Sequence, residues 1–352
     1  MTYESLKPLI YKLDPENAHA LVEFSMRTLD CIFPGGLSFF AKDCVINDEI
    51  LNQEIFNLNF YNPVGLAGGF DKNATMIRPL SALGFGFLEY GTFTPKPQNG
   101  NEKPRLFRLV EQESIQNAMG FNNKGKDAIA KEVKKVYPFS IPLVANIGKN
   151  KITPNEEAIN DYIILLKEFK DLCDLFVINI SSPNTKKLRD LQSEEFVSTL
   201  FNQAKQITNK PVILKIAPDM NIDSAISLCK SAISAKADGI IMANTSIDYS
   251  LIDNARTFGG ISGRLITQKS ATFFKEVAKE IYQDTILIAS GGIDSAELAY
   301  ERIKNGASLV QIYTAMIFKG PSIVKNINQG LIELLKQDGF NHISQAIGVN
   351  FK

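Results

Sequence analysis

The sequence predicts an α/β chain, a (β/α)8 TIM barrel with a small N-terminal helical extension, and three observations carry that expectation. From Pro63 onward, short apolar runs rich in β-branched residues alternate with helical stretches, eight times in all. Eight such units in roughly 250 residues is the span of a closed barrel. The C-terminal ends of several runs carry glycine, lysine, hydroxyl and carboxamide residues, and that end of a parallel strand is where ligands sit. A doubly wound sheet is the alternative, with fewer parallel strands as a rule.

The strands are expected at 63–68, 86–91, 142–147, 174–180, 211–216, 238–243, 285–290 and 308–313. Helices are expected between most of them. Those at 154–171 and 193–208 open with acids in the first turn, where carboxylates favour a helix N-terminus. Segments 92–140 and 244–268 read as loops over the barrel top. Before the barrel, Leu6, Leu9, Ile10 and Leu13 form one helical face. Asp14-Pro15 then reads as N-cap and first turn of a second helix bearing Ala18, Leu21, Val22, Met26 and Leu29, which Pro34-Gly35-Gly36 ends. Residues 42–60 read as a short β excursion. The division is therefore an N-terminal unit, 1–40, and a barrel domain, 41–352. By periodicity, residues 1–40 are a cap packed on the barrel; an interfacial membrane foot or the mouth of an apolar tunnel are the alternatives.

Composition excludes several classes. Lysine plus arginine and aspartate plus glutamate number 38 each, so no bulk basic field points to nucleic acid. Cys31, Cys44, Cys173 and Cys229 are scattered without a CxxC pair, which fits neither a disulfide framework nor a zinc site. With only His19 and His342, no histidine-rich metal centre is expected. No apolar run reaches the length of a membrane-spanning helix, and no secretory signal opens the chain.

The fourth strand and its end, Cys173 to Thr185, organise the chemistry. Leu175 to Ile180 is an apolar run ending in Ser-Ser-Pro-Asn-Thr. In isolation that is a polar turn; with the other strand ends it reads as one wall of a site. Strand one ends in Gly68-Gly69-Phe70-Asp71-Lys72, glycines that let backbone approach a flat ligand beside a cation. Strand two ends at Gly91-Thr92, strand three at Asn146-Ile147-Gly148-Lys149, and strand six at Asn244-Thr245. Lys215 follows Val212-Ile213-Leu214, at the buried rim, where an anionic partner is needed. Gly291-Gly292 and Tyr313-Thr314 end strands seven and eight, where barrels commonly hold phosphate; Gly259 to Gly263 adds a further glycine-rich approach. Phosphate on one side and two lysines near the centre point to flavin mononucleotide (FMN). Asn117, Asn179, Asn184 and Asn244 suit a ring with alternating N–H and C=O groups, such as a dihydropyrimidine. Ser182, flanked by Thr185, is the candidate base; as an acyl nucleophile it lacks histidine and acid partners.

With these residues in view, the chain resembles the quinone-dependent (class 2) dihydroorotate dehydrogenases over essentially its whole length. The motifs that carry the resemblance include Asp14-Pro15-Glu16, Ala18-His19, Gly68 to Lys72, Thr94 to Gln98, Asn146 to Lys151, Asn179 to Thr185, Gly259 to Arg264 and Gly291-Gly292. Class 1 relatives have cysteine at the place of Ser182 and lack the helical unit. The resemblance implies FMN held by Gly68, Gly69, Phe70, Asp71, Lys72, Thr92, Asn146, Asn179, Lys215, Ala243, Ser262, Gly263, Gly291, Gly292, Tyr313 and Thr314. It implies dihydroorotate held by Lys72, Asn117, Ala118, Met119, Gly120, Phe121, Asn179, Asn184, Asn244 and Thr245. Ser182 would take the C5 proton while C6 passes hydride to the flavin. Thr185 would connect Ser182 to a proton relay, and Lys215 would stabilise charge on the reduced flavin. A membrane quinone would enter between the N-terminal helices near His19, Arg108 and Tyr313. The same resemblance implies a peripheral protein on the cytoplasmic face of the cell membrane, with residues 1–40 as its membrane and tunnel unit; the sequence itself does not reveal the oligomeric state, a monomer being favoured. Ala118 stands where many relatives have arginine, and Gly69-Phe70 where Gly-Leu is usual.

Overall fold

The structure is a computed structural model that describes residues 3–352. Three helices come first: α1 (Tyr3–Ile10), α2 (Pro15–Ile32) and α3 (Pro34–Cys44). Asp14 caps α2 as expected, its carboxylate accepting from the N–H groups of Glu16 and Asn17. Pro34 ends α2 but also opens α3, because a proline in the first turn needs no N–H partner. The expected strand character at Cys44 to Ile46 is therefore absent, and α3 crosses position 40. Ala18 is buried, whereas Leu9, Leu21, Phe24 and Ile32 stay exposed.

A two-stranded hairpin, β1 (Gln53–Ile55) and β2 (Leu58–Phe60), leads into the barrel. Then follow β3 (Val64–Asp71), α4 (Ile77–Ser81) and β4 (Phe87–Phe93). The stretch expected as a loop, 92–140, is structured: β5 (Leu106–Leu109) and β6 (Ser114–Asn117) pair, and α5 (Lys126–Val133) follows. Next come β7 (Leu143–Ile147), α6 (Ala158–Phe169), β8 (Leu175–Asn179), α7 (Glu194–Ile207), β9 (Val212–Ile216), α8 (Ile222–Ser234) and β10 (Gly239–Met242). The second expected loop holds β11 (Gly260–Gly263), which joins β6 antiparallel and completes a three-stranded sheet over the barrel mouth. The chain closes with α9 (Thr267–Ile281), β12 (Ile286–Ser290), α10 (Ala296–Lys304), β13 (Leu309–Ile312), α11 (Thr314–Lys319) and α12 (Ile323–Gln337).

The eight strands β3, β4, β7, β8, β9, β10, β12 and β13 form a closed parallel ring in that order, which is the (β/α)8 barrel. Its floor is apolar: Phe87, Leu175, Val177, Ile213, Ile241, Ile288 and Leu309 pack with Ile55 and Phe60 from the β1–β2 hairpin. A side chain at Gly65 would lie 2.2 Å from the Phe87 ring, so glycine there lets the ring fill the barrel. Two residues further along β4 and β9, on the same inward face, stand Glu89 and Lys215. The barrel interior thus changes from apolar at the floor to ionic just beneath the mouth. Among the described residues, no helix is long and apolar enough to cross a membrane.

Candidate active site

The ionic layer is a closed network. Lys215 Nζ lies 3.1 Å from Glu89 Oε1 and 3.4 Å from Gln311 Oε1. Glu89, 1% exposed, also accepts from the amides of Asn146 and Gln311. Asn146 Oδ1 in turn accepts from Thr92 Oγ1 at 2.5 Å, and Asn179 Nδ2 donates to Thr92 Oγ1 at 2.8 Å. A buried charge is tolerable when it is paired and its other lone pairs are satisfied, and Glu89 meets both conditions. A side chain at Gly68 would strike this layer, 2.4 Å from Glu89 Oε1, so only glycine lets β3 pass there.

Above the layer opens a cavity, partly open to solvent. Its walls include Gly68, Gly69, Lys72, Thr92, Asn117, Met119, Gly120, Phe121, Asn179, Ser182, Asn184, Lys215, Ala243, Asn244, Thr245, Ser262, Gly263, Gly291, Gly292, Tyr313 and Thr314. The order of strands arranges them. β3, which delivers Lys72, and β9, which carries Lys215, lie four strands apart in a ring of eight, facing each other. β12 and β13, which lead to Gly291-Gly292 and Thr314, face β7 and β8, of which β8 leads to the Asn179–Asn184 segment. The Gly291-Gly292 turn and the Asn179–Asn184 segment therefore lie on different sides of the mouth, with Asn244, after β10, between them.

On the carboxamide wall, Asn184 Nδ2 donates to Asn117 Oδ1 at 3.0 Å, and Asn244 Nδ2 to Ser181 Oγ at 2.9 Å. Asn101 Nδ2 holds the carbonyls of Ala118 and Asn184, at 3.0 and 2.9 Å. Ser182 is 7% exposed, and its hydroxyl accepts from the Asn184 N–H at 3.3 Å. Around Ser182, the buried oxygens Asn184 Oδ1, Thr185 Oγ1 and Thr245 Oγ1 have no hydrogen-bond partner. Buried polar groups in native proteins are nearly always satisfied, so two oxygens of wall residues and one beside them are poised for a polar ligand. Thr185 makes no direct hydrogen bond to Ser182. Burial in the cleft pushes the Lys72 amine down to about 8, while its Nζ donates to the Gly69 carbonyl at 2.7 Å.

Other predicted residues stand off the cavity. Asp71 turns away, its carboxylate accepting from the N–H groups of Thr75 and Met76, so it shapes the turn. Phe70 packs edge-on against Tyr313 and His19, and His19 Nε2 lies 2.8 Å from the Phe70 carbonyl. Burial lowers the His19 pKa and raises that of Tyr313 to about 12. Arg108 is farther out, donating to the Leu13 carbonyl at 2.8 Å and lying over the Tyr11 ring. Asn146 and Ala118 sit behind the wall. Sequence reasoning missed Glu89, Gln311 and Asn101, and also the rim cluster in which Arg264 pairs with Glu113 and Asp294. Glu89 had one signal: it shares the inward parity of Phe87.

No cluster of metal-ligating side chains exists among the described residues. A closed parallel barrel whose mouth joins two lysines, a buried hydroxyl and a glycine wall defines a barrel oxidoreductase site. The model of the dihydroorotate dehydrogenase family matches residues 50–335, and the chain belongs to that family. It is 55% identical to the dihydroorotate dehydrogenase (quinone) of a Nitratiruptor species, covering all of both chains. Over the full length of both, it is 46% identical to the enzyme of that name from Helicobacter acinonychis. Among solved structures, the dihydroorotate dehydrogenase of Eimeria tenella in complex with ferulenol is 34% identical with a TM-score of 0.85, covering 98% of this chain and 99% of that one.

Proposed function

We propose that this chain oxidises (S)-dihydroorotate to orotate, with FMN as hydride acceptor and a membrane quinone as final electron acceptor, in de novo pyrimidine biosynthesis. The observation that carries the reading is the meeting of Lys72, Lys215, Ser182, four asparagines and the Gly291-Gly292 turn on one cavity. FMN, when bound, supplies the two-electron acceptor. The residues fit it: Gly263, Gly291 and Gly292 offer backbone to a phosphate beside the start of α11, and Lys215 offers a cation from below. Ala243, Ser262, Thr92, Tyr313 and Thr314 would complete that holding set, with Gly68 and Gly69 on its β3 side and Asn146, Phe70 and Asp71 supporting it from behind.

Lys72 would hold the substrate carboxylate, and Asn117, Asn179, Asn184, Asn244 and Thr245 its ring, with Ala118 to Phe121 as cover. Ser182 would take the proton from C5. A serine hydroxyl is a weak base, so the buried surroundings would have to activate it, and the unpartnered Thr185 hydroxyl would belong to the relay that takes the proton onward. The three N-terminal helices, running on to Cys44, would hold a monomer peripherally on the cytoplasmic face of the membrane, with quinone reaching the His19, Phe70 and Tyr313 row. Arg108 would stand at its outer end. Absorbance of the purified protein tests the reading. It should show an oxidised flavin that dihydroorotate bleaches without oxygen. A colourless chain that takes up no FMN would overturn it.

A further inference from the structure

We propose that Arg302 is the positioning residue of the Gly291–Gly292 turn, a buried guanidinium that fixes, through Thr267 and Ser270, the backbone that receives the flavin phosphate. The inference rests on the FMN reading above and deepens it. Arg302 lies in the last turn of α10 and is fully buried. Its Nη2 donates to the Thr267 carbonyl at 3.1 Å and lies 3.5 Å from Ser270 Oγ. Both acceptors belong to the first turn of α9, and both grip the turn from their other side. Thr267 Oγ1 donates to the Gly292 carbonyl at 2.9 Å, and Ser270 Oγ to the Gly291 carbonyl at 2.7 Å.

The turn is pressed onto this support. Gly291 and Gly292 have φ of +103° and +70°, and a side chain at Gly292 would lie 2.4 Å from Thr267 Cα. The two glycines thus owe their position to α9, and the start of α9 owes its position to Arg302. The guanidinium is also under-used. Its Nε has no hydrogen-bond partner, and Nη1 has only the half-exposed carboxylate of Glu301 at 3.3 Å. Arginine keeps its charge in proteins, and a charged donor strengthens the hydrogen bond by which it holds the Thr267 carbonyl. The turn that it supports lines the cavity wall assigned to the phosphate dianion.

A purely structural arginine would affect every flavin alike, whereas this one should matter only to flavins that carry phosphate. The test titrates the full-length chain, freed of flavin, with FMN and with riboflavin, following quenching of flavin fluorescence. Wild type should prefer FMN. Arg302→Met should lower that preference roughly tenfold and leave riboflavin affinity unchanged, while Arg302→Lys keeps most of it. Equal weakening of both flavins, or a preference that stays at the wild-type value, would overturn the proposal. Should Arg302→Met fail to fold, Ser270→Ala carries the test, since it removes the bond to Gly291 and leaves the bond from Arg302 to Thr267 in place. Its preference for FMN should fall as well, and an unchanged one would count as refutation. Wild type that binds neither flavin, or both equally, overturns the FMN reading itself and the proposal with it.

Discussion

Glu16, in the first turn of α2, grips Arg105 with both carboxylate oxygens, at 2.6 and 3.1 Å. Arg105 also donates to the carbonyls of Asn99 and Asn101, and Asn101 holds the backbone of Ala118 and Asn184. The helical unit is thereby tied to the carboxamide wall, which is why both can act as one body. Burial raises the Glu16 pKa, but Arg105 and Lys103 more than reverse this and leave it below the ordinary carboxylate range. The pair therefore contributes stability above that range and loses it as pH falls through the lowered value. Glu16→Gln should cost roughly 1–3 kcal/mol in chemical unfolding at neutral pH and raise KM for dihydroorotate more than it changes kcat. An unchanged KM would show that the tie carries no influence on the wall.

Ser182→Ala should slow reduction of the flavin by dihydroorotate by about 10²–10⁴-fold, the usual contribution of a general base. Flavin uptake should persist, because Ser182 stands on a different side of the mouth from the Gly291-Gly292 turn. Stopped-flow reduction at saturating dihydroorotate is the measurement. A rate within threefold of wild type would remove Ser182 from the proton transfer.

The barrel was readable because its strands announce themselves. Val212 to Ile216 and Leu175 to Asn179 are β-branched or apolar runs bounded by turn residues, and both are buried throughout. The strand ends were readable for the same reason, since each polar cluster follows its run directly. What escaped depends on distant pairing or on ambiguous residues. β6 finds β11 more than a hundred residues later, and neither strand has a pattern long enough to show periodicity. Pro34-Gly35-Gly36 reads as a stop, yet proline suits a helix start equally well, so α3 was hidden. Glu89 looks like a surface charge within Phe87 to Gly91, and only the partnership with Lys215 across the barrel reveals it as interior. Arg302 was hidden likewise in the charged stretch Glu301 to Lys304.

Orotate binding should depend on pH through Lys72. Burial sets its amine at about 8, so the carboxylate ligand meets a cation below that pH and a neutral amine above it. The dissociation constant should be flat below about pH 8 and rise toward tenfold per unit above it, as linkage to one proton requires. Lys72→Met should bind weakly and lose the pH dependence. Calorimetric titration across the range is the check, and a profile that is flat in wild type would contradict the role.

The exposed apolar face of α2 should govern contact with lipid. Phe24 and Ile32 are 68% and 77% exposed, and Leu21 lies on the same helix. Burying one such side chain is worth about 1.5–3 kcal/mol, so Leu21→Glu with Phe24→Asp should lower vesicle binding by tenfold or more. Turnover with long-chain quinone should fall, while reduction of the flavin by dihydroorotate stays near wild type. Loss of both half-reactions together would refute the separation of membrane contact from substrate oxidation.

The interior pair of Glu89 and Lys215 should reveal itself most clearly when halved. Glu89→Gln leaves the Lys215 ammonium buried against neutral amides, an arrangement that costs roughly 3–5 kcal/mol when a buried pair loses one partner. Lys215→Met leaves the opposite charge stranded among Asn146 and Gln311, which still donate to it, so its cost should be smaller. The double variant restores neutrality and should be more stable than Glu89→Gln alone, since well-packed neutral groups replace buried ion pairs with little penalty. Urea unfolding of the four proteins gives the coupling energy directly. A sum of single effects equal to the double, within about 0.5 kcal/mol, would mean the two charges do not sense each other.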